Sequence, residues 1–339
     1  MFTTKEKTIA PNNSLISNLK QPEASIIFTG DIMLSRGVAH QIYKNNDLYF
    51  PFKNVNEFLH SANTVFANLE SPIINGRKIN AGETTFRIDE NLAPILKEMN
   101  ISIINLANNH MMDFGRKGLL NTLKILNDQD LNHIGAGINY EEAHRPIIIE
   151  INGIKIAFLG YNDSDVAPQL SNATEKKPGT AFMNVNDLKS DLAQTKLLNP
   201  NFIIVSMHGG TEYSPTPNNR QIDFAHAAID NGANLIIGHH PHVIQPIEKY
   251  KNGYIFYSLG NFIFDQMWSM DTREGIAIQI NFLKDGIKNI KILPYLIESY
   301  SQPTMITAQN NPEIFRKIIN RLNLPADDNI FNIENQLAQ

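Results

Sequence analysis

Leu235-Ile236-Ile237-Gly238-His239-His240-Pro241-His242-Val243 is the stretch on which the fold turns. Its first three residues form a short apolar run of the kind that makes a buried strand, and Gly238 closes the run. Three histidines then fall within four residues, out of ten in the whole chain. His240 and His242 flank Pro241 on a tight turn, where both neutral imidazoles can face one metal centre. A polar loop whose rings only fill hydrogen bonds is the competing reading.

The same grammar recurs upstream. Ser25 to Thr29 leads to Gly30-Asp31, Thr64 to Ala67 leads to Asn68 and Glu70, Ile101 to Leu106 leads to Asn108-Asn109-His110, and Phe202 to Met207 leads to His208. Open α/β sheets bind ligands in the crevice beyond the carboxyl ends of their strands, so five such ends are expected to converge although they lie up to about 200 residues apart. Asp31 offers a hard oxygen ligand, or an N-cap for a following helix. Glu70 can cap, pair with an arginine or bridge two cations, and its place after an apolar strand favours a paired or metal-bound role. The Asn109 amide oxygen can ligate a metal, and His110 can donate a proton to a leaving group with Asp113 to orient it; an Asn-rich turn is the alternative. His208 sits before Gly209-Gly210, a sign of backbone crowded close to something. The case rests on the sum of these sites.

Between the strands, apolar residues three or four apart in Leu92-Ile95-Leu96-Met99, Leu119-Leu123-Leu126 and Phe224-Ala228-Ile229 predict helices that pack on a sheet. Ile147 to Ile151, Lys155 to Tyr161, Tyr254 to Ser258 and Gly275 to Phe282 predict further strands, with Asn152-Gly153 and Lys251-Asn252-Gly253 as hairpin turns. Segments 162–180 and 210–219 read as long loops near the site. Residues 1–23 are polar and without period and read as a flexible arm. Residues 24–300 form the main domain, and 301–339 a helical tail with its helix near Pro312 to Leu322. The expected class is α/β, a mixed sheet pair flanked by helices.

Hydrophobic residues make up 42% of the 339 and charged residues 19%, enough apolar material for a core and too little charge for a disordered chain. A net charge of -5 and the absence of a Lys/Arg run argue against nucleic-acid binding. With no cysteine, disulfides, thiolate catalysis and Cys-zinc sites are excluded, so any metal must be held by His, Asp, Glu or Asn. The amino terminus, residues 1–24, lacks the uninterrupted apolar stretch of a signal peptide, and no membrane span is expected in the chain. The chain as it stands is expected to be soluble, either cytoplasmic or extracytoplasmic if a leader or anchor has been removed.

The segments Phe28 to Leu34, Ala67 to Pro72, Leu106 to His110, His208 to Tyr213, Gly238 to Val243 and Tyr257-Ser258-Leu259-Gly260-Asn261-Phe262 resemble, in order, those of the bacterial capsule synthesis family CapA/PgsA, associated with poly-γ-glutamate, which looks like a branch of the calcineurin-like metallophosphoesterases. The resemblance implies a four-layer α/β/β/α sandwich with metals at one edge. It implies that Asp31 binds one metal and Glu70 stands where a bridging Asp is usual. Asn109, His208 and His240 then serve the second metal, His242 returns to the first, and His110 is the proton donor. The wider superfamily has Asp, any residue, His at the first strand, whereas Asp31-Ile32-Met33 puts a thioether in the His position, a poor ligand for Mg, Mn or Zn ions.

Two functions follow from the resemblance. One is a metal-dependent phosphoesterase-type hydrolase linked to poly-γ-glutamate or capsule biosynthesis, with one or two divalent ions (Mn, Zn, Fe or Mg). The other is a non-phosphatase on the same fold, either an accessory subunit of polymer synthesis and export or a peptide-acting, epimerase-like enzyme. The substrate is expected to be an anionic small molecule or a γ-glutamyl or peptide chain, and the partner the capsule synthesis machinery. Arg36 and Arg87 are candidates for holding an anion by bidentate hydrogen bonds, and Tyr213 for a further substrate contact.

Overall fold

Alternation sets the architecture of this computed structural model, which describes residues 21–325 and 329–333. The strands, in chain order, are β1 (Ala24–Ile32), β2 (Thr64–Leu69), β3 (Ile101–Asn105), β4 (Asn132–Ile134), β5 (Ala136–Gly137), β6 (Ile147–Ile151), β7 (Ile154–Asn162), β8 (Gly179–Thr180), β9 (Phe202–His208), β10 (Leu235–His239), β11 (Ile247–Tyr250), β12 (Gly253–Phe256), β13 (Asn261–Ile263), β14 (Glu274–Leu283), β15 (Gly286–Glu298), β16 (Gln302–Met305) and β17 (Phe331–Ile333). The helices are α1 (Arg36–Lys44), α2 (Asn56–Leu59), α3 (Ala93–Glu98), α4 (Gly115–Asp128), α5 (Tyr140–His144), α6 (Val185–Leu197), α7 (Asn219–Asp230), α8 (Met270–Arg273) and α9 (Pro312–Arg321).

Two mixed sheets face each other. The larger runs β16-β15-β14-β1-β2-β3-β4, with β13 added to β1 and β17 to β15; the smaller runs β11-β12-β10-β9-β7-β6. β1 to β4 are mutually parallel, as are β7, β9, β10 and β12. Side chains of successive strand residues point to opposite faces. In β7, Ile156 and Phe158 therefore enter the layer between the sheets, with Ile204, Ile237, Phe28, Phe66 and Ile103, while Ala157, Leu159 and Tyr161 face outward. That outward face is covered by α6 and α7 through Leu188, Leu192, Phe224 and Ala228. The outer face of the large sheet is covered by α1, α3 and α4 through Val38, Ile42, Leu96, Leu119 and Leu126. Four layers, α/β/β/α, result, as the sequence led one to expect.

The segments read from the sequence differ from the structure chiefly at their ends. The helix expected from Leu92 begins as a 3-10 turn over Glu90–Leu92 before α3. The 162–180 loop contains a short 3-10 turn and β8, and α7 begins at Asn219 behind a capping box of Asn218 and Gln221. Beyond residue 300 the chain is built into the sandwich: β16 and β17 extend the large sheet, and α9 inserts Ile318 into the core. Those edge strands are short and carry little periodicity, so their pairing was not readable. Residues 1–20 of the expected arm lie outside the described residues.

Candidate metal centre at the strand ends

Backbone register builds the site. Across the large sheet Asn261, Asp31, Asn68 and Asn105 align as neighbours, and across the small sheet Asn162, His208 and His239 do so. Both rows cap the apolar layer at the same end. They meet directly: the Asn68 amide lies 3.3 Å from His208 Nδ1, and His239 Nε2 lies 3.1 Å from the Thr29 carbonyl.

A bulge aims Asp31 at this meeting point. Phe28 pairs with Phe66, but Asp31 pairs with Asn68, so β1 carries one extra residue between them. Without it Asp31 would face the outer helices, because one residue of slip exchanges the faces. Gly30 makes room for it, since a Cβ there would overlap the Gly260 carbonyl. Asp31 is fully buried; its Oδ1 accepts from Asn68 at 2.8 Å and its Oδ2 from the His240 amide at 3.3 Å. Burial pushes its pKa up, but His242, His239 and Asn68 together outweigh that and hold it below the usual range.

Glu70 is the anomaly. It is fully buried, yet neither carboxylate oxygen has a hydrogen-bond partner. His110 Nε2 and His242 Nε2 each lie 3.8 Å from Oε1. Burial, and then the Asp31 charge, push its pKa well above the usual range. Buried polar groups are otherwise almost always satisfied, and a buried carboxylate without a partner is costly. The orphaned oxygens beside Asp31 and His208 form one group whose ligand atoms lie within 4.8 Å of one another, and Glu212, His240 and His242 form a second. This donor set of carboxylate oxygens and imidazole nitrogens fits a divalent transition-metal ion.

The histidines differ in charge. His208 and His240 are driven toward the neutral, ligating form, first by burial and then by neighbouring imidazoles, His240 to about 3. His242 is opposed by burial but held at about 9 by Glu70 and Asp31. Its Nδ1 donates to Asn261 Oδ1 at 2.8 Å, and Asn261 is itself fixed by donating to the Thr272 carbonyl. His240 and His242 both have left-handed backbone, with φ of 98° and 59°. Such strain costs about 1–3 kcal/mol per residue and concentrates at functional sites.

The residues expected at the site are placed as follows. Asp31, Glu70, Asn109, His208, His240 and His242 come together, Asn109 Oδ1 lying 2.9 Å from His208 Nε2. His208 lies with Asp31 and Glu70, and His240 with His242 and Glu212, while His242 also lies 3.6 Å from Asp31 and 3.8 Å from Glu70, and the His208 and His240 rings are 4.9 Å apart. His110 stacks on Phe86 with centroids 3.8 Å apart, and its Nδ1 is bound to Asp113 Oδ2 at 2.8 Å. Tyr213 stands at the rim, its ring 6.1 Å from that of His242.

The two arginines part company. Arg36 pairs with Asp265 and lies over the Phe86 ring at 4.5 Å. Arg87 is buried and turned away from the centre, binding the Ile74, Gly76 and Arg77 carbonyls and Asp89. Its hydrogen bonding is spent on clamping that loop, a use that spacing alone does not distinguish from anion binding. Met33 is withdrawn into the outer apolar layer, where its sulfur accepts from the Ser35 amide. Glu212, Asn68 and Asn261 were missed as site residues. Glu212 is exposed and lies four residues past the end of β9, beyond Gly209-Gly210, and asparagine orientation is not written in spacing.

Residues 25–266 match the family described as bacterial capsule synthesis protein PGA_cap. The chain is 32% identical over 324 residues to capsule biosynthesis protein CapA of Bacillus anthracis, covering 94% of this chain and 77% of that one. It is 34% identical over 273 residues to PGA biosynthesis protein CapA of Bacillus subtilis (strain 168), covering 80% and 70%. The crystal structure of calcineurin-like phosphoesterase YfkN from Bacillus subtilis matches 89% of this chain and 97% of that one with a TM-score of 0.50 at 13% identity, a likeness of fold.

Proposed function

The chain belongs to the bacterial capsule synthesis protein family PGA_cap, and from that premise we propose that its strand-end centre is a divalent-metal-dependent hydrolase site of phosphoesterase type serving poly-γ-glutamate or capsule biosynthesis. The observation that carries this reading is Glu70: two buried, unpartnered carboxylate oxygens set among Asp31, His208, His242 and His110. Asp31, Glu70, Asn109, His208, Glu212, His240 and His242 would hold the metal. When bound, a divalent ion supplies Lewis acidity to an ester oxygen and makes water a nucleophile at neutral pH.

The chain's own residues do the rest. Asp113 binds His110 Nδ1 and so turns Nε2 toward the centre, where it can donate a proton to a departing oxygen. Phe86 and Phe264 pack on His110 and His242 and keep water from their flanks. Arg36, between those two rings, adds positive field at the site that an anionic ester would enter.

Calorimetric titration of chelator-treated protein with Mn or Zn ions, followed by hydrolysis of bis-p-nitrophenyl phosphate, tests the reading. Saturable metal binding and turnover are expected, with His110→Ala keeping the metal and losing about 100-fold or more in kcat. Absence of metal binding would overturn it. Metal binding without turnover would favour the second reading, an accessory or peptide-acting role, which the withdrawal of Met33 from the metal ligands supports.

A further inference from the structure

The side chains of the centre are not held alike. Asp31 and His208 lie within strands and Glu70 directly follows one, so the sheets fix their backbone. Glu212 and His242 lie on loops, the first exposed and four residues past β9, the second buried and three residues past β10. We infer that Gln266 and Tyr213 are positioning residues, which join His242 to Glu212 by a single path of hydrogen bonds and so hold these two loop-borne side chains in a fixed relation.

The path can be followed donor by donor. The Asn261 amide nitrogen faces three groups that only accept: the Thr272 carbonyl at 3.0 Å, Gln266 Oε1 at 3.1 Å and the His242 carbonyl at 3.4 Å. Asn261 Oδ1 is thereby turned toward His242, and the 2.8 Å contact there requires a proton on Nδ1. Asp31 Oδ2, 3.6 Å from the same nitrogen, is too far to take that hydrogen bond. Nε2 is left as the ring nitrogen that faces Glu70. With Oε1 engaged by Asn261, Gln266 donates from Nε2 to the Tyr213 hydroxyl oxygen at 3.3 Å. The Tyr213 side chain is in turn hydrogen-bonded to the Glu212 carboxylate. All the donors run one way, from imidazole to carboxylate, so each hydrogen bond strengthens the next.

Other contacts brace the outer half of the path. The Tyr213 amide donates to the Pro241 carbonyl at 2.8 Å, which ties the tyrosine to the residue before His242. Tyr213 has a φ of 63°, uncommon for a bulky residue and kept only where the surroundings enforce it. Its ring meets that of Trp268 edge to face at 4.8 Å, and Trp268 stands two residues beyond Gln266 on the same loop. A tie serving only to join two loops could be apolar, as that ring contact is. The polar path instead ends at each side on a candidate ligand of one group, Glu212, His240 and His242. Donation of Nδ1–H to a fixed acceptor orients the imidazole and raises the basicity of its other nitrogen.

The inference rests on the metal-site reading of the centre and not on hydrolysis. Gln266→Met keeps the side-chain length and cuts the path in the middle; Tyr213→Phe keeps the ring and removes the hydroxyl. In calorimetric titration of the chelator-treated full chain with Mn ions, each should weaken binding about ten-fold or more. The double variant should lose no more than the weaker-binding single variant, because both changes cut one path. Circular dichroism and the metal-free melting temperature should stay close to wild type, while the visible absorption of Co(II) bound in place of Mn should change in both. In chelator, the His242 Nδ1–H proton resonance, identified by its loss in His242→Gln, should shift or broaden in Gln266→Met. Wild-type Mn affinity in both single variants, or losses that add in the double variant, would overturn the inference and leave the metal reading in place. If the wild type binds no metal but the resonance responds to Gln266→Met, the path stands and the hydrolase reading falls; no metal binding with an unchanged resonance overturns both.

Discussion

At the scale of single residues, the centre is an arrangement of charges that a metal would complete. Glu70→Gln keeps the shape and removes the charge, so metal affinity should fall about 100-fold or more in calorimetry, in line with the loss of a charged ligand. At pH 9 or above, where His242 has lost the proton that Glu70 helps to hold, the melting temperature of the metal-free protein should hold or rise in the same variant, because a buried carboxylate without a hydrogen-bond partner is replaced by a neutral amide. A metal-free melting temperature that dropped by many degrees would mean that Glu70 is bound to protein groups and not waiting for a cation.

The protonation of His242 gives a second residue-scale prediction. Its pKa is near 9 in the fold, against 6.5 in an unfolded chain. Its proton therefore stabilises the metal-free fold fully below about 6.5, and the contribution of roughly 3 kcal/mol is lost as pH rises through about 9. Glu70, also raised, acts with the same sign, whereas Asp31 is lowered and acts only on the acid side. Melting temperature in chelator should thus decline between pH 6.5 and 9. In the presence of bound metal, which displaces the proton, the slope should flatten. Parallel pH profiles with and without metal would count against the assignment of His242 as a ligand.

At the scale of elements, the decisive features are the β1 bulge and the close approach of β1 to the Gly260 turn. Gly30→Ala puts a methyl against a backbone carbonyl that cannot move aside as a side chain could. Urea unfolding should show a loss of about 2–3 kcal/mol, the usual cost of overpacking, together with weaker metal binding because Asp31 follows in the chain. Gly82→Ala tests local crowding: a Cβ there meets nothing, although its φ of 86° still carries backbone strain. Loss of stability without loss of metal affinity is expected for it.

At the scale of the whole molecule, the chain's far end reaches back to the centre. Glu274 is fully buried, with Lys317 at 2.7 Å and Arg321 at 3.0 Å, both on α9. The same two cations bind Asp271 of α8, and the neighbouring Thr272 carbonyl anchors the Asn261 amide that holds His242. Replacing both cations, Lys317→Met with Arg321→Met, strands a buried carboxylate and should cost about 3–5 kcal/mol in urea unfolding. Metal affinity should fall with it. A double variant as stable as wild type would show that α9 rests on its apolar contacts alone.

The sequence by itself determined the layers and most of the candidate ligands. Apolar runs of strand length mark the sheet interiors, helical spacing marks the covers, and Asp31, Glu70, Asn109, His208, His240 and His242 are legible because each follows a run whose carboxyl end must open on a crevice. The resemblance in ordered segments added the family and the expected fold. What only the tertiary structure decided is direction. Strand periodicity predicts Asp31 on the wrong face, and a bulge that exists only through pairing with β2 turns it inward. Arg36 and Arg87 look alike in sequence, yet one borders the site and the other is consumed by carbonyls of its own loop. Glu212 joins the candidate ligands beside His240 and His242, where the Tyr213 amide is tied to the Pro241 carbonyl at 2.8 Å, a contact between loops some thirty residues apart. Spacing records which residues are near a strand end; register, bulges and long-range hydrogen bonds settle where their side chains point.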